Sequence, residues 1–340
     1  MPYLKKPFDA ILLISFGGPS GPDDIRPFLG NVLRARRIPE SRFESVVKHY
    51  EKYGGVSPLT EVTTRQATGL QELLLSSDCP LPVYVGMRNW HPFLEDTLMG
   101  MRTNGHQQVL AITLAAHHCY SSCGQYKQNV IQARNTMFPD QNDSFCVTYV
   151  PSWHTSRGYI KANSLHIRKA IEGLEIEVRD DAKIIFTAHS IPLAMANEAR
   201  YEAELRESAE LIARELNKNS WDLVFQSRSG RPEDPWLEPD ICDYLRTEHT
   251  NGLRAAVLCP LGFVADHIEV LYDLDFEAGT LCKTLGLPMT RAAAVNDSPD
   301  FLESLAKTIR ETIHRYRNGL PLPLTPATPP ARTEPPPPYR

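Results

Sequence analysis

A chain of 340 residues, 42% hydrophobic and 23% charged, has the composition of a soluble globular protein and room for two domains, each with its own core. A formal net charge of −5 and the lack of any long Lys/Arg block exclude the basic surface that nucleic-acid binding needs. No segment approaches the ~20 apolar residues that span a bilayer, and the first apolar run, Ala10–Phe16, is too short for a secretory signal. Seven cysteines form no framework, so free thiols and a cytoplasmic location are expected.

Strand and helix signals alternate along the chain. Short apolar runs predict strands at Ala10–Phe16, Val83–Met87, Val109–Leu114, Cys146–Val150, Lys183–Thr187, Leu223–Gln226, Ala255–Leu261 and Met289–Ala293. None alternates strictly, so each is expected to be buried on both faces. Ser57-Pro58 opens a helix as cap and first-turn proline. Pro92–Arg102 reads as another, closed by Asn104-Gly105. Strands joined by helices predict an α/β protein with parallel sheets and right-handed crossovers. The eight strands divide into two sets of four, giving two doubly wound, Rossmann-like domains, 1–152 and 153–298, expected to face each other across a cleft. A helix over 299–317 should pack back on the first. The last segment, 319–340, holds nine prolines in 22 residues and is expected to stay disordered or polyproline II.

Chemistry concentrates after the strands. Ser15-Phe16-Gly17-Gly18-Pro19 follows the first, without the G-x-G-x-x-G or P-loop patterns of a nucleotide site; paired glycines suit close approach to a flat ligand. Thr187-Ala188-His189-Ser190-Ile191-Pro192 ends the fifth, and its imidazole can take a proton or bind a metal. Beyond the seventh, Gly262–Glu277 reads as a helix from Asp266 onward, with Glu269, Asp273 and Glu277 every fourth residue on one face. Like charges so spaced oppose helix formation, and a passing cation such as Fe(II), which accepts carboxylate and imidazole ligands, would relieve them. A solvated acidic face has the same spacing. Further polar and aromatic clusters are Arg88-Asn89-Trp90-His91, His117 to Cys123, Trp153-His154 and Gln226 to Ser229. Aromatic faces beside hydroxyls and cations suit a large planar ligand with acidic arms. Cys119-x-x-x-Cys123 lacks the second pair of a zinc site.

Six motifs in order resemble the ferrochelatase family, whose members insert iron into a porphyrin: SFGGP at 15–19, YGGVSPL at 53–59, NWHPF at 89–93, TAHSIP at 187–192, QSRSGRPEDPWLEPD at 226–240 and GFVADHIEVLYDLDFE at 262–277. They span nearly all of residues 8–317. The resemblance implies two Rossmann-like domains around a porphyrin cleft. It implies His189 and Glu269 as catalytic and metal-contacting residues, with Asp273 and Glu277 as further metal positions. Phe16, Arg34, Ser57, Tyr126 and Trp236 are implied for the porphyrin. Two departures stand out: Phe16 where some relatives carry a metal-reaching tyrosine, and Asn89 where some carry histidine. Many members hold an iron–sulfur cluster on C-terminal cysteines; this chain has none beyond Cys282, so no cluster is expected and Fe(II) is substrate rather than cofactor.

The expected function is a soluble coproporphyrin III ferrochelatase of haem biosynthesis, with transient contacts to neighbouring haem-pathway enzymes allowed by the resemblance. Arg34, Arg36, Arg37, Arg42, Lys48 and His49 offer partners for four propionates, and the apolar lip of membrane-bound relatives is missing. The rival readings are a protoporphyrin IX ferrochelatase, a cobalt chelatase and a non-catalytic haem-binding protein.

Overall fold

The structure is a computed structural model that describes residues 7–34, 39–77, 79–137, 144–229 and 233–320. Arg36, Arg37 and the tail from 321 to 340 lie outside the described residues. The chain divides into two compact units. The first draws on Met1–Leu114, Tyr120–Trp153 and Leu302–Arg340, the second on Ala115–Cys119 and His154–Phe301.

The first unit holds a parallel sheet of β1 (Ala10–Ser15), β2 (Val83–Met87), β3 (Gln108–Thr113) and β4 (Cys146–Tyr149), in the order β2-β1-β3-β4. The second holds β5 (Ala182–His189), β6 (Trp221–Gln226), β7 (Ala255–Cys259) and β8 (Met289–Arg291), in the order β6-β5-β7-β8. All eight strand positions agree with the sequence reading within two residues. Burial on both faces holds for β1, β3, β5 and β7 and for most of the edge strand β6, but fails at the other three edges. β2, β4 and β8 are largely half-exposed, because an edge strand has a neighbour on one side only. Ile11 to Ile14 on β1 and Ala255 to Cys259 on β7 are wholly buried, at about 1.5–3 kcal/mol for each large side chain taken from water.

Two helix starts differ from expectation. The pattern after Ser57 gives a helix over Leu59–Leu75 with Pro58, not Ser57, as its N-cap; Ser57 Oγ still accepts from Leu59 N at 3.4 Å. Pro92–Arg102 becomes Leu94–Thr103, closed by Asn104 and by Gly105 at φ +85°. The final helix, Pro299–Arg317, runs as read. Its Leu302 lies so close to Gly69 that a Cβ there would come within 2.5 Å of Leu302 Cδ1, and Tyr316 packs edge-on against Phe8 at 4.9 Å between ring centroids.

Candidate active site

Each sheet has one place where successive connections leave in opposite directions: between β1 and β3 in the first unit, between β5 and β7 in the second. Open α/β sheets bind ligands beyond the strand ends at such a point. In the second unit both flanking strands deliver the candidate residues. β5 ends in His189. β7 runs through Pro260 and Leu261 into the segment that carries Glu269.

His189 Nδ1 contacts the Ser190 carbonyl, which makes Nδ1–H the donor, so that in the neutral imidazole the lone pair falls on Nε2. That Nε2 lies 4.0 Å from Glu269 Oε2, with both side chains partly open to solvent. The backbone behind the ring is tied down. Tyr201 Oη donates to the His189 carbonyl at 3.1 Å, and Ser190 N donates to the Gln226 carbonyl at 2.8 Å. Trp236 pairs with Pro192 in an antiparallel bridge, and Leu237 N donates to Ile191 O at 2.9 Å, so this loop backs the histidine segment.

The acidic row corrects the expected geometry. The helix does not start at Asp266. His267 caps it, accepting from Val270 N at 3.2 Å, and burial pushes the His267 imidazole below its usual pKa, in keeping with that acceptor role. After one α turn, Ile268–Val270, the chain enters a π-helix over Leu271–Ala278 and then an α-helix over Gly279–Leu285. In an α-helix a step of four residues overshoots a full turn by about 40°. The wider i→i+5 turn falls short of one instead, so the three carboxylates still share a face.

Asp273 is the most perturbed of the three. Burial, aided by the charges of Glu269 and Glu277, pushes its carboxyl up to about 7, although hydrogen bonds from Ser227 and Gln226 pull the other way. Ser227 Oγ donates to Asp273 Oδ2, and Gln226 Nε2 reaches the same oxygen at 3.3 Å. Burial and the nearby Asp240 raise Glu277 as well. Beyond the row an open depression of about 480 Å³ is lined by Gln226, Ser227, Asp240, Arg246, Asp273 and Glu277, among others. Among the described residues no three His, Cys, Asp or Glu side chains gather as a closed metal cage. The donors are strung along a line.

The first unit presents a different surface. Gly17 turns at φ +87°, and a Cβ on Gly18 would come within 2.6 Å of Ser57 Cβ, so buried Ser57 sits directly against the glycine turn. Phe16 packs on the same core cluster as buried Tyr126 and meets Phe28 edge-on at 6.2 Å. Arg88, at the end of β2, sets its guanidinium 5.9 Å from both the Phe16 and Tyr126 ring centroids. Asn89 is buried, with its side-chain amide donating to Phe16 O at 3.3 Å, so it serves the turn. Arg34 is exposed beyond the helix Ile25–Val32. Thus Phe16, Ser57 and Tyr126 gather around the β1 turn, whereas Arg34 stands outside that group. Cys119 and Cys123 fall in different units; His118 Nδ1 pairs with Glu204 at 2.9 Å and His117 Nε2 with Ser208 Oγ at 3.0 Å. The sequence reading named Gln226 and Ser227 only as a polar cluster and did not connect them to Asp273. Their place at the end of β6, beside β5, was the available signal.

Residues 8–313 match the family profile described as Ferrochelatase. A ferrochelatase of Rhodopirellula baltica is 42% identical over 308 residues, covering 90% of this chain and 87% of that protein. The coproporphyrin III ferrochelatase of Mycolicibacterium smegmatis is 39% identical over 317 residues, covering 92% and 91%. A fold likeness links the chain to the sirohydrochlorin chelatase SirB from Bacillus subtilis subspecies spizizenii in complex with cobalt, at TM-score 0.55 and 11% identity over 93% of this chain and 100% of that one. The family profile runs through both sheets and every residue of the candidate site: this chain belongs to the ferrochelatase family of metal-inserting enzymes.

Proposed function

We propose that this protein is a cytoplasmic coproporphyrin III ferrochelatase, inserting Fe(II) into the four-propionate porphyrin. The carrying observation is that the M. smegmatis relative, like others at 38–40% identity, bears that name across about nine-tenths of this chain. The charge pattern supports the reading only in part. Arg26 is held by Glu44 through bonds of 2.7 and 2.8 Å, and burial lowers the pKa of His49 so that it favours the neutral form. Arg34 and Lys48 are exposed there and are the cations proposed to meet the carboxylate arms, each such contact contributing ~1 kcal/mol or less.

In the proposed reaction two pyrrole N–H protons leave as Fe(II) binds the four nitrogens. His189 Nε2 takes a proton, its tautomer held by the Ser190 carbonyl. Glu269, within reach of that nitrogen, shares the proton or the metal. Asp273 and Glu277 lead iron toward this pair or carry protons away. Ser57, Phe16, Tyr126 and Trp236 contact the macrocycle. Iron is the substrate, and no step uses an iron–sulfur cluster; stoichiometric acid-labile sulfide in anaerobically purified protein would contradict this.

The deciding experiment is anaerobic insertion of Fe(II), with kcat/KM measured side by side for coproporphyrin III and protoporphyrin IX. A clear preference for the first is expected. Equal or reversed values would favour protoporphyrin IX, the reading left open by the R. baltica relative, named ferrochelatase without a stated porphyrin.

A further inference from the structure

The segment that carries the acidic row holds a geometry that its own residues do not explain. π-Helices are rare and mostly single turns inside α-helices. Here the π stretch Leu271–Ala278 runs for eight residues. What faces it from the sheet is Arg291, on β8 in register with Leu258, its side chain only 14% exposed. Arg291 Nε and Nη2 donate to Asp275 Oδ1 and Oδ2 at 2.6 and 3.0 Å. Its Nη1 donates to Asp266 Oδ1 at 2.8 Å and to the Ala292 carbonyl at 3.1 Å. Asp266 is itself anchored: Asn296 Nδ2 donates to its Oδ2 at 2.9 Å, and its own N–H donates to Asn296 Oδ1 at 2.8 Å. One guanidinium therefore joins the residue before the helical segment to a residue inside the π stretch, midway between Asp273 and Glu277.

We infer that Arg291 is a positioning residue for iron delivery: its two-pronged hold on Asp275, braced on Asp266, keeps the π register that sets Asp273 against Ser227 and fixes the angle of Glu277 beyond it. A planar guanidinium matches a carboxylate at two points and so fixes orientation as well as distance. Released from that hold, the segment can relax to i→i+4 bonding, which carries each four-residue step of the row from short of a full turn to beyond one and so rotates Asp273 away from Ser227 and Glu277 with it. His189 and Glu269 precede the π stretch and keep their places. Arg291 touches no reacting atom. The inference rests on the proposed reading of the row as an iron path.

The test compares the wild type with R291Q, R291K, D275N and R291Q/D275N in the anaerobic insertion assay. Iron is varied at saturating coproporphyrin III, and porphyrin affinity is measured separately by fluorescence quenching. R291Q should raise the KM for iron about tenfold, the usual scale for losing a group that orients a metal site, with kcat and porphyrin affinity near wild type. D275N should match it, and the double variant should be no worse than either single one, since all break one clamp. R291K keeps the charge without the fork and should resemble R291Q. Unchanged iron KM in R291Q and D275N would overturn the inference, as would full recovery in R291K, additive losses in the double variant, or parallel loss of porphyrin affinity. Should R291Q fail to fold, D275N carries the test, its side chain being 38% exposed. Absence of turnover in the wild type would instead sink the enzymatic reading itself.

Discussion

At the end of β1 the chain turns through Gly17 and Gly18 and presents Phe16, with Tyr126, Arg88 and Ser57 around it. At the matching end of β5 it presents His189, with Glu269, Asp273 and Ser227 around it. Strand order and direction are the same in both sheets. The rims differ: one offers aromatic faces, a hydroxyl and a cation, the other an imidazole and a line of carboxylates. A shared scaffold supplies position, and the residues just past the strand ends supply the chemistry. Under the proposed function the metal and protons fall to the second rim and the ring contacts to the first, with Trp236 beside the second as the exception.

The strongest way to break this contrast is His189→Ala. If the β5 rim does the proton work, turnover should fall by about 10²–10⁴-fold, the range of a lost general base. A partly exposed strand-end side chain should cost about 1 kcal/mol of stability or less. A folded variant with near-normal turnover would dissolve the contrast. Glu269→Gln keeps the shape and removes the charge. Its kcat should drop by about 10-fold or more while porphyrin affinity holds. Lost porphyrin binding with normal turnover of bound substrate would move Glu269 to the other side of the comparison.

A smaller effect sharpens the picture of the acidic row. Folding raises the Asp273 carboxyl from about 3.9 in an unfolded chain to about 7. Between these values the folded state binds more protons than the unfolded one, so stability should fall as pH rises from about 4 to about 7 and stay lower above. Asp273→Asn should flatten that part of the profile, read by denaturant unfolding at several pH values. An identical slope in the variant would assign the titration elsewhere. The smallest effect is expected at the β1 rim: Phe16→Tyr should keep insertion close to wild type, because a phenyl group has no atom to coordinate iron and the proposed function gives Phe16 only a packing role. A new requirement for the hydroxyl, or a large gain in rate, would count against a purely aromatic role.

How much of this was readable from the residues alone depends on how local each feature is. The strands stood out as short apolar runs, and exposure at β2, β4 and β8 was hidden because what covers an edge is a property of the sheet rather than the run; β6, also an edge, is mostly buried. His189 and Glu269 were identified from motifs, and the structure sets them side by side. The π geometry was hidden, since carboxylates every fourth residue suit an α-helix and a π-helix alike. Ser227 meets Asp273 across 46 residues, and Arg291 meets Asp266 across 25. No local pattern announces pairings of that range. His49 looked like a cation until its burial was known.

The last helix carries a consequence for how the protein is made. The first unit needs residues from Leu302 onward, yet His154–Phe301, nearly all of the second unit, lies between them and the first sheet in the chain. A ribosome therefore releases every residue of the second unit before the first can close. Until then Gly69 waits without Leu302, and Phe8 without Tyr316. The unit that begins first is the one that finishes last.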